Sequence, residues 1–226
     1  MKKLLLLHGA IGAQDQLEPL KDLLKENYTV YSFSFSGHGD CNSSQEFDIK
    51  QFTADTLSFM SSKKLTAVSI FGYSMGGSVA LNLAKEHPDK VKGIVTLGTK
   101  FKWTPEIAAK EVQLLNADLI ELKIPAFANA LAKRHGTNKW KTVLSKTADM
   151  LIGMGEKSPL LLTDYQTIKT PCRLLLAEFD EMVSREETLE INDALLNSTF
   201  AILPDSKHPI EKVDVDLLVK EIVSII

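Results

Sequence analysis

The sequence predicts a doubly wound, mainly parallel α/β sheet of six strands, broken by one helical insertion. Three observations carry that reading. Short apolar runs bounded by turn residues recur along the chain, segments with helical spacing separate them, and residues 100–170 hold helical patterns without a convincing strand. Strands alternating with helices form a parallel sheet, because each parallel return needs a crossover that a helix supplies.

The first element is KKLLLLH, residues 2–8. A secretory leader needs about 7–15 apolar residues after its basic start, and here the run Leu4 to Leu7 is cut by His8 and Gly9. A short apolar run ending at a glycine turn suits a strand buried on both faces. In QLEPLKDLLKE, Leu17, Leu20 and Leu24 share one helix face. YTVYSFSF (28–35) and KLTAVSIFG (64–72) are the second and third strands, and Met75 to His87 is a helix placing Val79, Ala80 and Leu83 together. VKGIVTLG (91–98) is the fourth strand.

In the insertion, Pro105, Pro125, Gly136, Gly153, Gly155 and Pro159 divide the chain into about four helices. CRLLLAEF (172–179) is the fifth strand, and Ser184 with Glu187 forms a capping box ahead of a helix carrying Leu189, Ile191 and Leu195. STFAILP (198–204) is the sixth strand, and a last helix from about Ile210 buries Leu218, Ile222 and Ile225. Residues 1–99 and 171–226 are thus expected to form the core and 100–170 a cap. Ligands of such sheets bind beyond the carboxyl ends of the strands, where an insertion acts as a lid.

With 226 residues, 44% hydrophobic and 24% charged, the composition is that of a soluble globular protein. A net charge of −3 gives no electrostatic reason to expect nucleic acid or an anionic membrane as partner. Cys41 and Cys172 are too few for a disulfide framework or a thiolate metal site, which points to a reducing, cytoplasmic setting. No stretch approaches the ~18 apolar residues of a membrane span.

The third strand runs into Gly72-Tyr73-Ser74-Met75-Gly76, the G-x-S-x-G pattern. A strand turning abruptly into a helix holds its central residue in a strained conformation with the side chain above the sheet, and glycines two residues either side remove the collisions. Serine is a weak nucleophile at neutral pH and needs a base and a group that orients the base. Of five histidines, His87 ends a helix and His135 lies in the insertion. His8 and His38 stand at strand ends, where they are turn residues or contact substrate. His208, beyond the carboxyl end of the last strand, can reach Ser74. Asp180 is the first residue released after the fifth strand and is better placed to orient His208 than its neighbours Glu178 and Glu181.

With these residues in their order, the chain resembles the α/β-hydrolase family. Ser74, Asp180 and His208 follow that family's chain order. His8-Gly9-Ala10 resembles its oxyanion turn, which implies that the N–H groups of Ala10 and Met75 bind a negative oxygen. SFSGHGDC (34–41) resembles the loop after the next strand. The family's two leading strands are missing, so the resemblance implies the sheet order 4-3-5-6-7-8 in family labels. Ala177 stands where glycine is usual, and Cys41 where serine is common. IGMGEKS (152–158) looks like a phosphate loop but lacks the spacing and a preceding strand.

The expected activity is serine-dependent hydrolysis of an ester, thioester or related acyl compound through an acyl-enzyme, with no cofactor and no metal. The partners expected are a small acyl substrate and at most a second copy of the chain, with monomer and homodimer both open. Elimination or C–C cleavage by the same triad is a second enzymatic reading, and a non-catalytic binding or scaffold protein a third. The insertion offers Trp103, Phe127, Trp140, Leu144, Met150, Leu151 and Met154 as lid core or pocket lining, with Trp103, Trp140 and Met150 as substrate contacts. Its cations Lys133, Arg134, Lys139 and Lys141 form either a solvated face or an attraction for an acidic substrate.

Overall fold

The computed structural model describes residues 1–43 and 45–226. Six parallel strands, β1 (Lys2–Leu7), β2 (Tyr28–Ser32), β3 (Val68–Tyr73), β4 (Val91–Leu97), β5 (Cys172–Phe179) and β6 (Ser198–Lys207), lie in the order β2-β1-β3-β4-β5-β6. This is the order expected from the family labels.

The leucine run shows how the sheet is filled. Leu4 and Leu6 pack with Leu20, Leu24, Leu218 and Ile222 on one face, and Leu5 and Leu7 with Phe52, Val79 and Leu83 on the other. All four leucines are inaccessible to solvent. Each contributes about 2 kcal/mol through burial, so apolar residues at consecutive positions are needed only where both faces are covered.

The covering helices are α1 (Glu18–Leu24), α2 (Ile49–Ser62) and α3 (Met75–Glu86), followed by α4 (Pro105–Val112), α5 (Ala117–Lys123), α6 (Pro125–His135), α7 (Trp140–Glu156) and α8 (Leu162–Tyr165), then α9 (Arg185–Ala194) and α10 (Val215–Val223). The capping box of Ser184 and Glu187 starts α9 as expected. Several boundaries differ from the sequence reading, including the end of β6, which runs past Pro204 to Lys207. β3 begins at Val68 because Lys64, at φ 53°, closes α2, with the Leu65 N–H donating to Met60 O and the Lys64 N–H to Ser61 O. β2 ends at Ser32, short of Phe35. The last helix begins at Val215, where the Asp214 side chain caps the N–H groups of Asp216 and Leu217, and buries Leu218 and Ile222, while Ile226 rather than Ile225 is tucked in.

Between β4 and β5 the described residues hold five helices, α4 to α8, and no strand. Pro105 and Pro125 open α4 and α6, and Gly136 closes α6 at φ 94°. Gly153 and Gly155, expected at boundaries, lie inside α7 instead. A Cβ on Gly155 would sit 2.6 Å from Ala108 Cβ and 2.9 Å from Thr104 O, so this glycine lets α7 press on α4. IGMGEKS is thus mostly the end of a helix. Ile120, Leu131, Trp140 and Leu144 form a small core of the insertion, while Val143, Met150 and Met154 join the main core.

The insertion is pinned to the strand-end loops by polar groups. His135 Nε2 donates to Ile11 O (2.9 Å) and its Nδ1 accepts from the Gly39 N–H (3.0 Å). Lys139 Nζ donates to Gly39 O (2.6 Å) and Cys41 O (3.1 Å), and Arg134 pairs with Asp15. Lys141 pairs with Asp118 and Glu121. Three of the four cations considered for an acidic substrate are therefore engaged within the protein. No helix among the described residues is long and apolar enough to cross a membrane.

Candidate active site

Ser74 sits at the β3–α3 turn with φ 50° and ψ −117°, a conformation costly for a residue with a Cβ. Its backbone is tied down at both ends. The Ser74 N–H donates to Leu97 O (2.8 Å), and its carbonyl accepts from the Gly77 N–H (2.9 Å) and Thr99 Oγ1 (3.0 Å). The flanking glycines do separate jobs. A Cβ on Gly72 would lie 2.5 Å from Gly76 O in the first turn of α3, and one on Gly76 would lie 2.3 Å from Leu7 O. The first lets the helix fold back over its own strand, and the second lets it sit against β1.

Beyond the ends of β5 and β6, Asp180 and His208 meet. His208 Nδ1 donates to Asp180 Oδ2 at 2.8 Å, and His208 Nε2 faces Ser74 Oγ at 3.4 Å. With Nδ1 carrying the hydrogen, Nε2 is free to accept the serine proton. Asp180 Oδ1 accepts from the Met182 and Val183 N–H groups, both at 2.9 Å, which fixes the carboxylate plane. The Asp180 side chain is 1% exposed. Glu178 points elsewhere, accepting from the Asp205 N–H (2.9 Å), and Glu181 is exposed. Tyr73 Oη donates to His208 O (3.1 Å) and holds the loop from below.

Gly98, which the sequence reading places only as the end of the fourth strand, is packed against this pair. It has φ +59°, and a Cβ there would stand 3.2 Å from His208 Nδ1 and 3.3 Å from Asp180 Oδ2. Gly98→Ala combines a left-handed backbone, worth about 1 kcal/mol, with a push on the imidazole. On the expectation that His208 is the base of a hydrolase, it should lower kcat/KM by about tenfold or more, through a misplacement of the histidine, for a modest loss of melting temperature. Ester turnover and a thermal melt on the same preparation check this; unchanged turnover contradicts it.

Ser74, His208, Ala10 and Met75 border a narrow cavity of about 70 Å³ whose walls include Trp103, Met150, Leu151, Met154, Met182 and Val183. The N–H groups of Ala10 and Met75 make no hydrogen bond among the described residues. Trp103 and Met150 thus lie where substrate contacts were expected. Trp140 does not: it is buried in the insertion's own core. Phe127 lies on the surface.

His8 and His38 are also not brought to the cleft, and both are fully buried. His8 Nδ1 donates to Gly9 O (2.8 Å) and Nε2 accepts from the Phe35 N–H (3.1 Å), which joins the turn after β1 to the loop after β2. His38 Nδ1 donates to Ser36 O (3.1 Å), and the ring stacks on Phe47. Ser78, Lys100, Glu111, Met182 and Val183 also line the cleft, and the sequence reading names none of them. A lysine and a glutamate eleven positions apart carry no local signal that they share a pocket.

Burial pushes the His8 pKa from 6.5 down to about 4, and also lowers those of His38 and His135. Between these values the unfolded chain binds protons at His8 that the folded chain does not, so stability falls as pH falls through that window and is fully present above 6.5. The melting temperature should therefore drop between about pH 7 and 5, ahead of carboxylate titration. A flat profile there contradicts the neutral assignment.

Comparison with known proteins places this geometry. A family model described as Hydrolase_4, serine aminopeptidase S33, matches residues 1–212. A pimeloyl-[acyl-carrier protein] methyl ester esterase of Neisseria meningitidis serogroup C is 28% identical over 96% of the chain and 73% of its own length. The chain spans 60% of the serogroup A counterpart, also at 28% identity. Among solved structures, the enol-lactonase of Burkholderia xenovorans LB400 superposes with a TM-score of 0.79 at 18% identity, over 99% of this chain and 90% of that one. A thermophilic esterase from Thermogutta terrifontis gives 0.79 at 18%, covering 99% and 89%. At that identity these two share the fold.

Proposed function

The chain belongs to the Hydrolase_4 family, serine aminopeptidase S33, and has the α/β-hydrolase fold; from that premise we propose that it is a serine esterase, with Ser74 as nucleophile, His208 as base and Asp180 as orienting acid. The observation that carries this reading is the hydrogen-bonded line Asp180–His208–Ser74 opening into a cleft walled mainly by methionine, leucine and tryptophan.

Ser74 Oγ attacks the ester carbonyl as His208 Nε2 takes its proton, and the imidazolium formed is held by Asp180 Oδ2. The carbonyl oxygen, now negative, accepts from the Ala10 and Met75 N–H groups, neither of which has another partner among the described residues to give up. His208 returns the proton to the leaving alkoxide, and the acyl group stays on Ser74. Water then attacks by the same steps in reverse and frees the acid. The relatives named as methyl ester esterases support an acyl ester as substrate, and the apolar cleft supports an acyl chain as the part recognised.

If the cleft holds the acyl chain, Trp103→Ala, which removes a wall that is only partly buried, should move the preferred acyl length upward by about two carbons with little loss of melting temperature. A graded series of p-nitrophenyl esters checks this. An unchanged length profile assigns specificity to other surfaces.

A further inference from the structure

We propose that Lys100 and Glu111 form a polar subsite in the cleft wall that selects acyl chains carrying a hydroxyl group; this rests on the esterase reading above. The two residues come from different places, Lys100 just after β4 and Glu111 near the end of α4, and both face the cavity that holds Ser74 and His208. The rest of that wall is largely apolar, and ions in such a wall are poorly repaid by each other alone, since an apolar pair of similar volume is as stable. Two ions set in such a wall beside the proposed nucleophile suit a polar ligand.

The hydrogen-bond inventory narrows what that ligand is. Lys100 Nζ donates to Met182 O and lies 3.5 Å from Glu111 Oε1. Glu111 is 7% exposed, and its Oε2 has no hydrogen-bond partner among the described residues. An ammonium has three N–H donors, so the pair leaves one donor and one acceptor unpaired among the described residues, the acceptor Oε2 lying just beneath the cavity wall and closed to solvent. A carboxylate brought there meets Glu111, and an ammonium meets Lys100. A hydroxyl meets neither objection, because it donates to Oε2 and accepts from Nζ through one small atom that a narrow cleft admits. Met150, Met154 and Met182 in the same wall are unbranched and can shift to let it in.

The test is a panel of p-nitrophenyl esters with acyl chains of about six to ten carbons, ending in methyl, hydroxyl, carboxylate or ammonium groups. Wild-type protein should favour the hydroxyl-ended ester over its methyl-ended counterpart by about tenfold or more in kcat/KM at one chain length, because a site built for a hydroxyl penalises the analogue lacking it. Glu111→Met should reverse that order, and Glu111→Gln, whose amide oxygen still accepts, should keep part of it. A methyl, carboxylate or ammonium preference at every length in wild type overturns the proposal, as does a hydroxyl preference undiminished in Glu111→Met. Should the Met variant fail to fold, the wild-type panel and Glu111→Gln decide. Failure of the esterase reading looks different: no ester is turned over and Ser74 is not labelled by a fluorophosphonate.

Discussion

Ser74→Ala should lower turnover by roughly 10⁵-fold and leave melting temperature nearly unchanged. In the proposed mechanism the hydroxyl forms the acyl bond, so its loss leaves only substrate binding and the proposed oxyanion donors. The fold does not depend on it. The turn is held by the Ser74 backbone N–H and carbonyl, which alanine keeps, and the strained φ of 50° burdens alanine as it does serine. Among the described residues the side chain's one polar contact is the 3.4 Å approach to His208. Steady-state assay with a chromogenic ester, beside a thermal melt, checks both halves. Residual activity above about one percent of wild type removes Ser74 from the mechanism.

Asp180→Asn should fold and lose about 10⁴-fold in kcat, for a reason visible in the contacts of each carboxylate oxygen. Oδ1 accepts two backbone N–H groups, from Met182 and Val183, and an asparagine oxygen takes over that position. Its amide NH₂ is then turned toward His208 Nδ1, which must accept rather than donate. The ring hydrogen moves to Nε2 and faces Ser74, where it blocks proton uptake. His208→Ala should be about as damaging as Ser74→Ala, since the members act as a unit. Glu178→Gln serves as control: Glu178 holds the Asp205 N–H and no part of this line, so the variant should keep most of its turnover. Glu178→Gln proving as harmful as Asp180→Asn contradicts the choice of acid.

The parts of the site legible in the sequence are those set by strand ends. Ser74 and Asp180 each follow a strand whose apolar pattern marks where it stops, His208 follows one that runs on to Lys207 past its apolar stretch, and a parallel sheet gathers such ends at one edge. The leucine run was readable for a similar reason, both of its faces being covered. What stayed hidden depends on residues distant in sequence. Gly98 is small because His208 and Asp180 arrive beside it from two other loops, and Gly155 because α4 lies across α7. His135 sits in an ordinary helical stretch, yet clamps α6 to the turns at Ile11 and Gly39. His8 had the appearance of a site residue because it adjoins the oxyanion turn, but its ring is consumed in joining two loops. The helix α2 has no counterpart in the sequence reading, although Asp48 caps it and Ile49, Phe52 and Met60 are buried along it. Chain boundaries shifted where a residue took an unusual backbone state, as Lys64 did in ending that helix.

The most direct measurement is covalent labelling of the native protein with a fluorophosphonate, followed by trypsin and fragmentation of the modified peptide. Cleavage after Lys64 and Lys85 releases residues 65–85, which contain Ser69, Ser74 and Ser78. The account predicts one adduct, placed by fragment ions on Ser74, and its loss in His208→Ala, because the hydroxyl is nucleophilic only while Nε2 can take its proton. An adduct on Ser69, Ser78 or a serine outside this peptide, or undiminished labelling without His208, contradicts it.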